Sequence, residues 1–197
     1  SPERVDPGRI DPPLSEVPKL VGGVDDASTE VAVALYASAF QDVIPVVSAE
    51  VAEAAKLLEN TFRAVNIALV NELKTILEAL AIDTRDVVDA ASTKPFGFMA
   101  FEPGPGLGGH CLPIDPFYLS WAAQRVGVPA RFIELAGIVN TEMPIHIVDR
   151  LCEALRSRGH EIEGARVLVM GLAYKPDVDD TRESPSFELI QTLRERG

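Results

Sequence analysis

The chain has 197 residues, 47% hydrophobic and 24% charged, which is ordinary globular composition and argues against disorder over most of its length. A formal net charge of −12, with no sustained Lys/Arg run, excludes broad binding to nucleic acid or an anionic membrane, while a few local cations would still suffice for one small anionic ligand. No apolar run approaches the roughly 20 residues of a membrane span and "SPERVDPGRI" holds no hydrophobic signal region, so the chain reads as soluble and cytoplasmic, with no nucleic-acid or membrane partner.

Residues 1 to 18 carry five prolines, which fix φ and remove backbone donors, so this segment reads as extended loop. "PKLVGG" reads as a short strand closed by Gly22 and Gly23, "DDASTEVAVALYASAF" as a helix and "QDVIPVV" as a second short strand. From Ser48 onward Val51, Ala55, Leu58, Phe62, Val65, Leu69, Leu73, Ile76 and Leu80 recur at steps of three and four, which predicts one amphipathic helix about 50 Å long. Its middle, "VNIALVNEL", is apolar on more than one face and is expected to lie between neighbours. The near-heptad stripe also suits a subunit interface, and so a homodimer.

Asp83 is placed to cap a short helix running to about Ala91. The next stretch, "STKPFGFMAFEPGPGLGGHCLPI", is a long loop, and three phenylalanines within it argue for order and function. Asp115 with Pro116 reads as the N-cap and first turn of a helix ending at Gly127. Two further helices are predicted at about 129 to 140 and 143 to 158. "RVLVMG" reads as a buried parallel strand, followed by the polar loop "LAYKPDVDDTRES" and a helix from Pro185. Strand, loop and helix make one βα unit, which cannot cover its own strand edges, so the polypeptide reads as a fragment cut near both ends.

Residues 104 to 109, "GPGLGG", match GxGxxG, but the dinucleotide fingerprint must follow a strand and open directly into a helix. Here "HCLPI" intervenes, so the glycines read instead as clearance that lets backbone approach a ligand. Cys111, at the end of that loop and just before a helix N-terminus, is open to two readings, a packed thiol or a reactive one. Asp115 is likewise cap, site residue or both. Lys56 and Asn60 emerge on one helix face, which is by default a solvated one, although Ala64 and Ile67 share it. Glu3, Lys175, Arg182 and Glu183 are by default surface charges. Cys111 and Cys152 lack zinc-site spacing, so no metal is expected.

Taken in order, "SPERVDPG", "AAKLLENTFRAVNIALVNEL", "AASTKPFGF", "PGPGLGGHCLPIDPFYL" and "VLVMGLAYKPDVDDTRESPSFELI" resemble the UDP-glucose/GDP-mannose dehydrogenase family of nucleotide-sugar 6-dehydrogenases. "STKPFGF" and "GPGLGGHC" with "DPFYL" resemble most closely its UDP-N-acetylglucosamine 6-dehydrogenase branch, for which "ATKPFGF" is typical. The resemblance implies a fold that is mainly α with α/β edges, a central helical domain on a long spine helix flanked by the end of one Rossmann-like domain and the start of another. Residues 1–47 would be the tail of an NAD-binding domain, 48–160 the central dimerisation and catalytic-loop domain, and 161–197 the start of a UDP-binding domain.

It also implies NAD as cofactor, a UDP-sugar as substrate, a homodimer through the long helix, and a role in bacterial surface polysaccharide synthesis. The sugar C6 alcohol would become a carboxylate through a cysteine thiohemiacetal and thioester. Among residues, the resemblance implies Cys111 as nucleophile, Lys56 as stabiliser of charge on the C6 oxygen, Asn60 and Asp115 as orienting groups, and Glu3 as acid/base in thioester hydrolysis. It places Glu102, Gly104, Gly106, Leu107 and Gly108 in the substrate loop, Tyr174 and Lys175 at the nucleotide, Lys94 at a phosphate, and Arg182 at NAD. Two departures favour the N-acetylated-sugar branch over UDP-glucose. Pro7 stands where some relatives have a second acidic residue, and Ile114 where they have a lysine. UDP-glucose and UDP-ManNAc stay as alternative substrates. The polypeptide alone reads as an inactive helical dimerisation module.

Overall fold

The computed structural model describes every residue except Pro7 and Arg9, so the departure at Pro7 lies outside the described residues. The chain forms two compact units, Ser1–Asn60 and Thr61–Gly197, and the boundary falls within one helix.

In the first unit, strand β1 (Lys19–Val21), helix α1 (Asp26–Tyr36) and strand β2 (Val43–Pro45) form a parallel βαβ element, with Lys19 opposite Val43 and Val21 opposite Pro45. Asp25 starts α1 by accepting from the Ser28 N–H at 2.7 Å, which satisfies one of the orphan donors of the first turn. Gly22 is required by a close approach, since a Cβ there would stand 2.0 Å from the Ser48 carbonyl oxygen just before the long helix begins.

That helix, α2 (Ala49–Ala79), spans 31 residues, as the periodicity predicts. The face it buries is not the whole predicted stripe. Ala52, Ala64, Ala68, Val70 and Asn71 are buried, whereas Leu58, Phe62, Leu69, Leu73, Ile76 and Leu80 are exposed. Small residues let α2 approach its neighbours, and the large apolar ones face outward.

In the second unit, α3 (Thr84–Ser92) is capped as predicted, the Asp83 carboxylate accepting from Arg85 and Asp86 N–H at 2.7 and 3.3 Å. Helix α4 spans Asp115–Arg125 and begins one residue earlier than expected: Ile114 is the cap, and Asp115 with Pro116 occupies the first turn, where a carboxylate suits the helix dipole. Two predicted helices are one, α5 (Arg131–Arg156), which runs through Pro144. Proline removes a helical donor. The break is overcome because Ile133, Ala136, Asn140, Met143, Pro144, Val148 and Cys152 are all buried along the helix. Helix α6 spans Pro185–Glu195, with Ser184 as its cap, and packs on α5, as α4 also does.

The strand predicted at "RVLVMG" does not form, and Leu168 and Met170 are 83% and 87% exposed. A parallel strand needs a neighbouring ladder, and among the described residues of the second unit no strand offers one. The architecture is thus mainly helical with a small parallel sheet. No helix among the described residues is long and apolar enough to cross a membrane.

Candidate active site

The glycine loop of the second unit is held from three sides. Gly104 donates its N–H to the Asn71 side-chain oxygen at 2.9 Å. Gly106, at φ +124°, lies against α5, where a Cβ would stand 2.6 Å from the Asn140 carbonyl oxygen. Gly108 and Gly109 lie against the segment before α6: a Cβ on Gly108 would stand 2.4 Å from Tyr174 Cβ and 3.1 Å from the Glu183 carbonyl oxygen, and one on Gly109 would meet the Tyr174 ring. Gly109 also donates its N–H to the Arg182 carbonyl at 3.2 Å. Glycine is needed at 106, 108 and 109 because protein backbone and the Tyr174 side chain already fill the Cβ space, whereas the space beside Gly104 is open.

Cys111 follows immediately and is partly exposed, whereas Cys152 is 3% exposed inside α5. The Cys111 carbonyl accepts from Ile114 and Asp115 N–H at 3.1 and 2.7 Å, so the cysteine begins the turn that leads into α4. Helix α4 thereby carries Asp115 one turn beyond the thiol residue. The structure thus brings together Gly104, Gly106, Leu107, Gly108, Cys111, Asp115, Tyr174 and Arg182 around one loop.

Asp180 grips the Arg182 guanidinium as a fork, with Nε to Oδ1 at 2.9 Å and Nη2 to Oδ2 at 2.6 Å, and also accepts the Arg182 N–H at 3.0 Å. Those bonds, from the side chain first and then the backbone, hold the Asp180 carboxyl at about 2, and Asp180 in turn raises Arg182. Lys175 follows Tyr174 and is half-buried. Glu102 is exposed and with Lys74, Thr84 and Arg85 borders a cleft apart from the glycine run. Lys94 stands 5.1 Å over the Phe96 ring, a local cation–π contact.

Glu3, Lys56 and Asn60 belong to the first unit. Lys56 Nζ donates to the Glu3 carbonyl, and Asn60 follows one turn later on α2. The extended segment is fixed by Arg4, whose guanidinium contacts both Glu59 oxygens at 2.8 and 3.3 Å and donates to the Pro18 carbonyl at 2.8 Å. The Glu3 carboxylate reaches Lys19 Nζ at 3.5 Å. Lys19 is only 5% exposed and lies 5.2 Å from each of the Tyr36 and Phe40 ring centroids.

Sequence reasoning missed Lys19, Asn71 and Asn140. For the two asparagines the legible signal was a polar side chain set in an apolar helix run, as in "VNIALVNEL".

The run matching GxGxxG does not fit a pyrophosphate, because the Cβ space of its second and third glycines, Gly106 and Gly109, is occupied by Asn140 and Tyr174 and the run opens into a turn rather than a helix. Within the chain the residue proposed for NAD is therefore Arg182 alone, with an exposed guanidinium already paired to Asp180.

Two family models match: the UDP-glucose/GDP-mannose dehydrogenase family central domain over residues 50–142 and the same family's UDP binding domain over residues 168–197, together more than half of the chain. The chain is 37% identical to a UDP-N-acetyl-D-mannosamine dehydrogenase of Methanococcus vannielii, with 100% of this chain and 44% of the relative covered. It is 38% identical to a UDP-N-acetyl-D-glucosamine 6-dehydrogenase of Pseudomonas aeruginosa, with 99% of this chain and 46% of the relative covered. Among solved structures, the UDP-D-ManNAc dehydrogenase of Pyrococcus horikoshii superposes with a TM-score of 0.90 at 35% identity, with 99% of this chain and 46% of that chain covered. The chain thus spans about half the length of the relatives it matches.

Proposed function

The chain belongs to the UDP-glucose/GDP-mannose dehydrogenase family, and from that premise we propose that it handles substrate in a UDP-N-acetylhexosamine 6-dehydrogenase, whose complete form oxidises the sugar C6 alcohol to the uronic acid. UDP-GlcNAc is the first reading, on the "STKPFGF" and "GPGLGGHC" motifs; UDP-ManNAc is the second, favoured by relatives of that name. NAD supplies the hydride acceptor for both oxidations.

The chain's own residues hold and release the carbon being oxidised. After the alcohol is oxidised, the Cys111 thiolate adds to the C6 aldehyde, forming a C–S bond, and the resulting oxyanion takes up a proton to complete a thiohemiacetal. That bond retains the aldehyde between the two oxidations. The second oxidation leaves a thioester. Water attacks it, the C–S bond breaks, and the thiolate and the carboxylic acid product are returned. Glu3 is assigned as the base for that water, Lys56 as the cation stabilising negative charge on the C6 oxygen, and Asn60 and Asp115 as the groups orienting oxygen and water. Tyr174 and Lys175 are assigned to the nucleotide, and Lys94 to a phosphate. The exposed apolar stripe of α2 supports a homodimer.

One observation carries the reading. The loop that ends at Cys111 packs against Tyr174 and Arg182, so a thiol from the segment matching the central domain and the opening of the segment matching the UDP binding domain share one compact unit. The test is NADH formation by the complete enzyme with UDP-GlcNAc, UDP-ManNAc or UDP-glucose. Turnover with an N-acetylated sugar is expected, and no NADH with any of the three would refute the proposal. Cys111→Ala should abolish acid product, and unchanged turnover would remove the nucleophile assignment.

A further inference from the structure

Two buried amides connect the glycine loop to the helices beneath it. Asn71 on α2 is 0% exposed and Asn140 on α5 is 4% exposed. Only a nitrogen can donate and only an oxygen accept, so the Gly104 N–H fixes both orientations. It requires the Asn71 oxygen, at 2.9 Å. The Asn71 amide nitrogen then faces Asn140 Oδ1 at 3.0 Å, and the Asn140 nitrogen donates to the Ala64 carbonyl at 3.2 Å. The relay runs in one direction, from loop backbone through α2 and α5 and back to α2.

Asn140 touches the loop a second time. Pro144 has no N–H, so the carbonyl four residues earlier, that of Asn140, lacks its usual helical donor. That carbonyl lies against Gly106, where any side chain would meet it at 2.6 Å. Gly104 and Gly106 are thus set by the same pair of asparagines. Two buried amides are a poor way to join two helices, because an apolar pair of similar shape would pack without desolvating four polar groups. What the amides add over an apolar pair is a fixed place for loop backbone.

We propose that Asn71 and Asn140 are positioning residues that hold residues 104 to 106 in the conformation that accepts the UDP-sugar. This rests on the functional reading above. If the loop is released, only a fraction of molecules presents the competent backbone, and apparent affinity falls by that fraction.

The test uses the complete enzyme with Asn71→Leu, and with Asn71→Leu combined with Asn140→Leu. In the double variant neither asparagine amide remains and only the half-buried Gly104 N–H loses its acceptor, so the thermal midpoint should return toward that of the unaltered enzyme. The KM for the UDP-sugar should nevertheless stay at least about tenfold raised, with kcat changed by less than about threefold. A merely structural role predicts that midpoint and KM recover together, and that result would overturn the proposal. Should neither variant fold, hydrogen exchange of the Gly104 amide in the unaltered protein decides. Strong protection supports the relay, and exchange at the rate of free peptide overturns it. Fast Gly104 exchange in an active enzyme sinks only the positioning role, whereas absence of NADH from the unaltered enzyme sinks the functional reading itself.

Discussion

Gly108 lies against Tyr174 so closely that a Cβ on the glycine would stand 2.4 Å from the Tyr174 Cβ, with the Glu183 carbonyl oxygen 3.1 Å away. Neither is the free end of a flexible side chain, so the loop or the segment before α6 must shift to admit even one methyl group. Gly108→Ala is expected to cost about 1 to 3 kcal/mol, the usual range for overpacking. Thermal unfolding checks this, and an unchanged midpoint would show that the loop does not rest on Tyr174.

Gly137 gives the opposite balance. A Cβ there would meet Phe117 Cζ at 2.6 Å, but Phe117 is 44% exposed and its ring can swing outward. Alanine inside a helix also gains about 1 kcal/mol over glycine. Gly137→Ala should therefore stay within about 1 kcal/mol of the parent in stability. A loss as large as that of Gly108→Ala would mean that the Phe117 ring is locked in place.

The difference between these two glycines also marks what sequence could supply. The pattern "GPGLGG" was legible as backbone clearance, but the groups that fill the clearance come from Asn140 and Tyr174, distant along the chain. Asp83 as a cap was legible because capping is local, and the length of α2 because its periodicity is continuous. Pro144 misled, because a proline penalty is local while the burial that overrides it along α5 is tertiary. "RVLVMG" misled for a related reason: apolar β-branched composition describes a strand that a ladder must complete. Of the site, the cysteine and its loop could be read from motif order, whereas the Asn71 and Asn140 relay depends on which faces of two helices meet.

The Asp180 and Arg182 pair predicts a titration. Hydrogen bonds from Arg182 hold the Asp180 carboxyl at about 2, below its ordinary 3.8. A depressed carboxylate contributes stability above its unfolded value and loses it as pH falls through the folded one, so this pair should persist down to about pH 2. Carbon-detected NMR of the Asp180 carboxyl checks it. A midpoint near 3.8 would show that the fork is open in solution.

On α2, Leu69 and Leu73 are 54% and 41% exposed, part of an apolar stripe on a helix that also presents Phe62 and Ile76 to solvent. Against the proposed second copy of the chain, a carboxylate at either leucine would be buried without a partner. Leu69→Glu and Leu73→Glu should shift a dimer to monomer while leaving helical content intact, as light scattering and circular dichroism would show. Dimers that survive both changes would move the interface elsewhere.

Glu78 near the end of α2 accepts from Lys74 at 2.6 Å and pairs with His146 Nε2 at 3.2 Å and Arg150 Nε at 3.5 Å, tying α2 to α5. Burial pushes its carboxyl up, but the bonds from Lys74 and His146 and the charges of Lys74 and Arg150 outweigh burial and hold it below its ordinary 4.5. A folded value lowered in this way contributes stability that is full above 4.5 and disappears as pH falls through the folded value. Glu78→Gln keeps the volume and removes the charge. It should cost about 1 kcal/mol at pH 7, where the side chain is only 24% exposed and two cations, Lys74 and Arg150, converge on it, and the difference from the parent should shrink at acid pH, as pH falls below 4.5 and through the folded value. A deficit of equal size at both pH values would assign the loss to packing rather than to charge.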